Sequence, residues 1–202
     1  MLSIQEIIKC GARLHAAGLI VATQGNISMR GADKSILITR SGADKGRLQP
    51  TDIMTLTEKG TVQTGEGSPS SETHLHLTAY RQFPSIRAVV HAHPPVATAF
   101  ATSGRPLPQG ILAEVEVELG EVLILPWALP GSPDLAATLE RASDRHCAFL
   151  LANHGALTVG GDLEQAFRRM ELLEFYARVL LEAKRLGGPT PLPGKRTEAP
   201  KP

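Results

Sequence analysis

Two histidines at alternate positions end an apolar run, Ala88-Val89-Val90-His91-Ala92-His93-Pro94. A third follows a second such run, Leu150-Leu151-Ala152-Asn153-His154-Gly155. In an extended strand residues i and i+2 share a face, so His91 and His93 can offer two imidazoles to one ion while Ala92 turns away. With His154 they read as a metal site. Three neutral imidazoles suit zinc and leave a coordination position free for substrate, although other divalent metals accept the same ligands. A carboxylate stands in a helix-start context, Gly67-Ser68-Pro69-Ser70-Ser71-Glu72, with His76 one helical turn later. A metal with an open position would polarise a ketone and hold the enediolate formed when a neighbouring C–C or C–H bond breaks, while Glu72 moves the proton. Glu72 also reads as a first-turn acid favoured by the helix dipole, or as a fourth ligand. His76 reads as a structural hydrogen-bond partner and His74 as surface; His15 and His146 receive no role.

Three further segments share a composition of Gly, Ser, Thr and Asn: Thr23 to Ser28, Thr39 to Gly42, and Ser68 to Ser71. Each alone reads as a turn, because these residues dominate turns for local reasons. Converging, their backbone N–H groups and small hydroxyls could hold a phosphate, helped by the helix N-terminus after Ser71. No glycine-rich P-loop or dinucleotide fingerprint occurs, which disfavours a nucleotide.

The elements that must position these groups follow from periodicity. Ser3 with Glu6 reads as a capping box, followed by Ile4, Ile7, Ile8, Gly11 and Leu14 at helical spacing up to Gly18. Ile36-Leu37-Ile38 reads as a strand, and Met54 to Thr57, then Glu58-Lys59-Gly60, then Val62 as a hairpin, so part of the sheet is antiparallel. A helix is expected from near Ser71 to about Phe83. Glu114-Val115-Glu116-Val117-Glu118 alternates as a half-buried strand with a solvated acidic side. Ser132-Pro133 opens a helix through about Ala142. Phe149 to Leu151 and Ala156 to Val159 read as buried strands. Asp162 with Gln165 caps a last helix with an apolar stripe at Leu163, Phe167, Met170, Leu173, Ala177 and Leu180, ending at Gly187-Gly188. A single domain over 1–186 is expected, with 187–202 a proline-rich mobile tail.

Of 202 residues 42% are hydrophobic and 20% charged, and 21 basic against 20 acidic side chains leave a net charge of +1. No block of like charge recommends a nucleic-acid or membrane-surface partner. Cys10 and Cys147 stand in unrelated contexts, without a disulfide framework or a Cys-x-x-Cys motif. No run reaches the roughly 18 apolar residues of a membrane span, and no basic start leads into an apolar block, so a cytoplasmic protein is expected.

In order along the chain, Gly18-Leu19 leads to Thr23-Gln24-Gly25-Asn26-Ile27-Ser28, then Ile38-Thr39-Arg40-Ser41-Gly42 with Leu48 and Asp52-Ile53, then Ser70-Ser71-Glu72 with His76, then the two histidine segments before a long helix. Over roughly residues 3 to 186 this pattern resembles the class II aldolase/adducin family, in particular its zinc-dependent aldolases of the fuculose-1-phosphate type. The resemblance implies an α/β fold with a mixed, partly antiparallel sheet layered between helices, in a homotetramer with active sites at subunit interfaces. It implies His91, His93 and His154 as zinc ligands and Glu72 as acid/base, able to touch zinc when substrate is absent. Gly25, Asn26, Ser41, Gly42, Ser70 and Ser71 fall on phosphate-binding positions. The implied reaction is cleavage of a ketose 1-phosphate to dihydroxyacetone phosphate and an aldehyde. A methylthioribulose-1-phosphate dehydratase, a pentulose-phosphate epimerase and a small decarboxylase of the same family are the alternatives, and an adducin-like interaction domain is the non-catalytic one. Two departures stand out. Arg40 replaces the usual proline of Thr-Pro-Ser-Gly, and residues 104–125 lack the tyrosine that such aldolases use on the aldehyde side, which leaves the acid on that side unassigned and sets a deoxy or thioether-bearing sugar phosphate beside a fuculose-1-phosphate-like one as the expected substrate.

Overall fold

The computed structural model describes residues 3–194, so the last part of the expected tail, 195–202, lies outside the described residues. Residues 187–194 are partly tethered, Leu192 N–H donating to Gly110 O at 2.7 Å.

The strands are β1 (Asn26–Arg30), β2 (Ile36–Thr39), β3 (Ile53–Leu56), β4 (Val62–Thr64), β5 (Ala88–Ala92), β6 (Leu123–Leu125), β7 (Ala148–Leu151) and β8 (Gly155–Gly160). They form one sheet in the order β4-β3-β2-β1-β5-β8-β7-β6. Neighbours run antiparallel except β6 and β7, whose crossover is made by helical segments. The helices are α1 (Ile4–Ala16), α2 (Thr73–Gln82), α3 (Pro95–Thr102), α4 (Ala113–Glu118), α5 (Pro133–Ala137) and α6 (Leu163–Arg185), with short 3-10 turns at Lys45–Arg47, Pro50–Asp52 and Thr138–Arg141.

Strand alternation divides the interior into two apolar layers. Ala88, Val90 and Ala92 of β5 face a core shared with Leu14, Phe100, Phe167, Met170 and Leu173 from α1, α3 and α6. Val89 faces the other core, with Leu75, Ala79 and Phe83 of the α2 segment and Leu135 of α5. The result is the expected three-layer α/β arrangement around a mixed sheet. Central β5 pairs with β1 and β8, so all of its residues are buried and its polar end projects into the interior's margin.

The long helix α6 begins as expected: the Asp162 side chain accepts from Gln165 N at 2.7 Å, satisfying an orphan first-turn donor. Its buried Glu174 accepts from Val96 N and Ala97 N at 3.0 and 2.9 Å, capping α3, the helix that begins two residues after His93. A carboxylate there complements the positive end of the helix dipole and fixes the chain where it leaves the histidine strand.

Two local expectations need correction. Residues 114–118 lie in helix α4 rather than a strand. The deciding signal was the four-residue spacing of Ile111, Val115 and Leu119, all buried, whereas Val117 is 83% exposed. Ser3 is the N-cap of α1 but caps with its carbonyl, which accepts from Glu6 N, and not with its hydroxyl.

Candidate active site

Residues from several parts of the chain meet at one end of the central strands. His91 lies within β5 and His93 just beyond it, where its backbone N–H donates to Leu19 O at 3.0 Å. His154 sits at the tip of the β7–β8 hairpin, set there by Asn153 in the left-handed region, φ 55°, a conformation Asn tolerates better than most residues. Gly155 is required beside it, since a Cβ there would lie 2.6 Å from both Ala92 O and the His93 ring. Glu72 is the N-cap of α2 and only 4% exposed.

The structure brings the three histidines together, one ligand atom of each lying within 4.8 Å of the others. Glu72 Oε2 lies 3.0 Å from His91 Nε2, and Glu72 Oε1 lies 3.4 Å from His154 Nε2. Hydrogen bonding fixes the tautomers. His91 Nδ1–H donates to Ala156 O at 2.9 Å, because a carbonyl only accepts, and His93 Nδ1 faces Gln24 Oε1 at 3.1 Å. The Nε2 lone pairs are therefore free for the cleft. Yet His91 Nε2 and His93 Nε2 face each other at 3.0 Å, with a carboxylate against the first. Acceptor facing acceptor is repulsive unless a cation or proton lies among them. Burial and the neighbouring imidazoles push His93 down to about 3 and His154 to about 4, so neutral solution supplies them with no proton. Burial alone would raise Glu72, but the positive charge of His91 in its protonated form, the Asn26 hydrogen bond and His154 in the same form outweigh it and hold the carboxyl below its ordinary value, a proton among these groups taking the place of a cation. Buried Glu72 Oε1 and His154 Nδ1 have no hydrogen-bond partner. This donor set fits a divalent cation.

The opposite wall carries the turn-forming loops. Ser41 N–H donates to Ser68 O and Ser70 N–H to Thr39 O, which joins the Thr39–Gly42 loop to the Ser68–Ser71 loop. Gly25, at φ 72°, packs against β5 so closely that a Cβ would stand 2.7 Å from His91 O. Gly25, Asn26, Ser41, Gly42, Ser70 and Ser71 all line the same cleft of about 350 Å³ as Glu72 and the three histidines. Arg40, also on this cleft, is held by Asp52 through Nε at 2.7 Å from Oδ1.

Two features escaped the sequence. Lys45 lines the cleft and is 2% exposed, its Nζ donating to Thr23 O and Ala43 O, and burial pushes it down to about 8. Its place in the turn-rich run Ser41 to Gly46 was the available signal. Asn26 Nδ2 donates to Glu72 Oε2 at 2.8 Å while its Oδ1 meets His76 Nε2 at 2.5 Å, so its side chain is engaged with both. Neither tyrosine reaches the cleft: Tyr176 OH donates to Pro108 O, and Tyr80 is buried against Ser28. His74 is exposed, and His146 is buried near Ser143 and Glu121, away from the cluster.

The model of the class II aldolase and adducin N-terminal domain matches residues 5–181. A 5-deoxy-D-ribulose 1-phosphate aldolase of Bacillus thuringiensis serovar kurstaki is 34% identical over 96% of this chain and 91% of its own. A methylthioribulose-1-phosphate dehydratase of Acidiphilium cryptum is 34% identical over 90% and 91%. Among solved structures, an L-fuculose 1-phosphate aldolase superposes with a TM-score of 0.89 at 35% identity, covering 96% of this chain and 93% of that one. With sequence, sheet order and cleft in agreement, this chain belongs to the class II aldolase and adducin family.

Proposed function

We propose that the protein is a zinc-dependent aldolase that reversibly cleaves a small ketose 1-phosphate, of the 5-deoxyribulose or methylthioribulose type, to dihydroxyacetone phosphate and an aldehyde. The observation that carries this reading is the cluster of three imidazoles, the Nε2 acceptors of His91 and His93 facing each other with the Glu72 carboxylate beside them, opposite a wall of small donors. A non-catalytic scaffold has no use for such a cluster, because facing acceptors cost stability with nothing bound.

In this reading His91, His93 and His154 hold the cation, which when bound polarises a substrate carbonyl and eases charge on the adjacent oxygen. Gly25, Ser41, Gly42, Ser70 and Ser71 take the phosphate, Asn26 shares their wall, and Lys45 and Arg40 supply positive charge behind it. Glu72 works at Oε1. Its Oε2 already accepts the Asn26 amide, and a proton there would set two donors against each other, whereas Oε1 has no such partner. In the condensation direction the ionised Oε1 removes a proton from the hydroxymethyl carbon of dihydroxyacetone phosphate; in cleavage the same atom returns it. The protein should therefore exchange one hydroxymethyl proton of dihydroxyacetone phosphate for deuterium in heavy water, without any aldehyde. Proton NMR that shows no exchange above the metal-only rate would rule out this assignment.

The missing tyrosine favours one second reading, a dehydratase in which the same cation and Glu72 remove water from methylthioribulose 1-phosphate and leave the carbon chain intact. Mass spectrometry of the product separates the two. The aldehyde end would be completed by a neighbouring subunit in a homotetramer. Trp127 and Leu129, 60% and 65% exposed, shortly precede cleft residue Pro130 and supply an apolar surface for that contact. Light scattering should give four times the 21.6 kDa chain mass; a monomer would remove this part of the proposal.

A further inference from the structure

Behind Glu72 a row of buried polar side chains crosses from α2 to β1. On α2, His76 and Tyr80 follow Glu72 at four-residue steps and share its face. On β1, Asn26 and Ser28 share the strand face turned toward α2, while Ile27 and Met29 enter the opposite core. The contacts form one line: Glu72 Oε2 to Asn26 Nδ2 at 2.8 Å, Asn26 Oδ1 to His76 Nε2 at 2.5 Å, His76 Nδ1 to Ser28 Oγ at 2.6 Å, and Ser28 Oγ to Tyr80 OH at 2.7 Å.

The ionised carboxylate sets the direction of every bond. It only accepts, so Asn26 must turn its NH2 toward Glu72 and its carbonyl toward His76. His76 must then donate from Nε2, and since burial keeps the ring neutral its Nδ1 accepts from the Ser28 hydroxyl. Ser28 in turn accepts from Tyr80 O–H. The line ends at a fixed post, because Arg30 donates to Tyr80 O at 2.9 Å and stacks over the Tyr80 ring at 5.0 Å. Packing alone does not call for such a row. The surrounding layer is apolar, with Leu75, Ala79 and Phe83 in it, and apolar side chains of the same shape can replace paired buried polar groups at little cost in stability.

We propose that Asn26, His76, Ser28 and Tyr80 form a one-way hydrogen-bond line that holds the Glu72 carboxylate in its working orientation, Oε2 tied and Oε1 free toward the cleft. His76 is then the decisive positioning residue, since its Nε2–H takes up the Asn26 carbonyl and so holds the amide where its NH2 meets Glu72 Oε2. This rests on Glu72 acting as the proton-transfer group.

The test compares His76→Leu, which removes the donor, with His76→Gln, whose amide can still donate toward Asn26. Deuterium exchange into dihydroxyacetone phosphate is measured on the zinc-loaded proteins, with zinc content and melting temperature alongside. For His76→Leu the exchange kcat should fall roughly 10–100-fold, as for other outer partners of a site, while KM and zinc content hold. His76→Gln should recover most of that loss. Wild-type kcat in His76→Leu, or a joint failure of kcat, KM and zinc content in both variants, would overturn the proposal. An independent reading needs no substrate: the nitrogen-15 shifts of the His76 ring in the native protein should show a neutral Nε2–H tautomer. An Nδ1–H tautomer would reverse the line and end the proposal even if the protein proves a good aldolase. Failure of the unsubstituted protein to exchange, with the Nε2–H tautomer present, would instead remove the aldolase reading and leave the line standing, to be tested by the same kcat and KM comparison on the reaction found.

Discussion

Replacing Glu72 by Gln changes the cleft in two ways that the structure separates. The amide is nearly isosteric, and its oxygen takes the place of Oε2 to keep accepting from Asn26, now 2.8 Å away. Its NH2 then occupies the Oε1 position, 3.4 Å from His154 Nε2. A proton acceptor has become a donor at the atom assigned to the chemistry. Loss of a positioned acid/base should cost roughly 10²–10⁴ in kcat, or about 3–5 kcal/mol of barrier. The stability effect has the opposite sign in metal-free protein. There a carboxylate facing imidazole lone pairs is exchanged for a donor facing one of them, a gain on the order of 0.5–1.5 kcal/mol. Were Glu72 only a first-turn acid, the change would instead destabilise by about 0.3–1 kcal/mol and leave the rate alone. The assays are deuterium exchange on the zinc-loaded variant and thermal unfolding of the chelator-treated variant. A kcat near the native value with zinc retained would refute the role of Glu72, and a lower metal-free melting temperature would refute the account of facing acceptors.

Three other outcomes follow from the same geometry. Removing the metal should lower the melting temperature: at free zinc about 1,000 times Kd the bound ion contributes about 4 kcal/mol, which calorimetry with and without chelator should resolve. Glu174→Gln can keep an oxygen at the Oε2 position for Val96 N and Ala97 N but puts an NH2 at the Oε1 position, 3.2 Å from Val96 N and from Arg178 Nη2, and losing the charge-assisted bonds there should cost about 1.5–3 kcal/mol, read by urea titration. Lys45 is depressed to about 8, so between that value and its ordinary 10.5 the unfolded chain binds a proton that the folded one lacks. Its contribution to stability therefore rises with pH across that window, the cost of burying the charge being fully present below pH 8. Relative to Lys45→Met, the native protein should gain stability between pH 8 and 10, and substrate KM should climb over the same range as the positive charge is lost.

Much of this was legible in the sequence because it is local. Alternation put His91 and His93 on one strand face, Ser70-Ser71-Glu72 marked a helix start, and the Asp162 cap and apolar stripe of α6 stand as their spacing implied. Non-local facts were hidden. That the loop at Thr39 is tied to the one at Ser68 depends on tertiary backbone pairing, and the tie from Asn26 to Glu72 through space depends on β1 lying under α2. Alternation at 114–118 misled because acidic residues placed two apart conceal the four-residue spacing that Ile111, Val115 and Leu119 impose on a short helix. Lys45 could not be recognised as buried, since only the carbonyls of Thr23 and Ala43, gathered by the fold, make a buried ammonium tolerable.

The central claim is carbon–carbon bond cleavage that depends on the histidine-held metal. The most direct measurement offers 5-deoxyribulose, methylthioribulose, fuculose and rhamnulose 1-phosphates to chelator-stripped protein before and after zinc is restored, and follows dihydroxyacetone phosphate by a coupled enzyme. Release from at least one ketose only after zinc is restored is the predicted result. No release from any of them by the zinc-loaded protein, or equal release from the stripped protein, would contradict it.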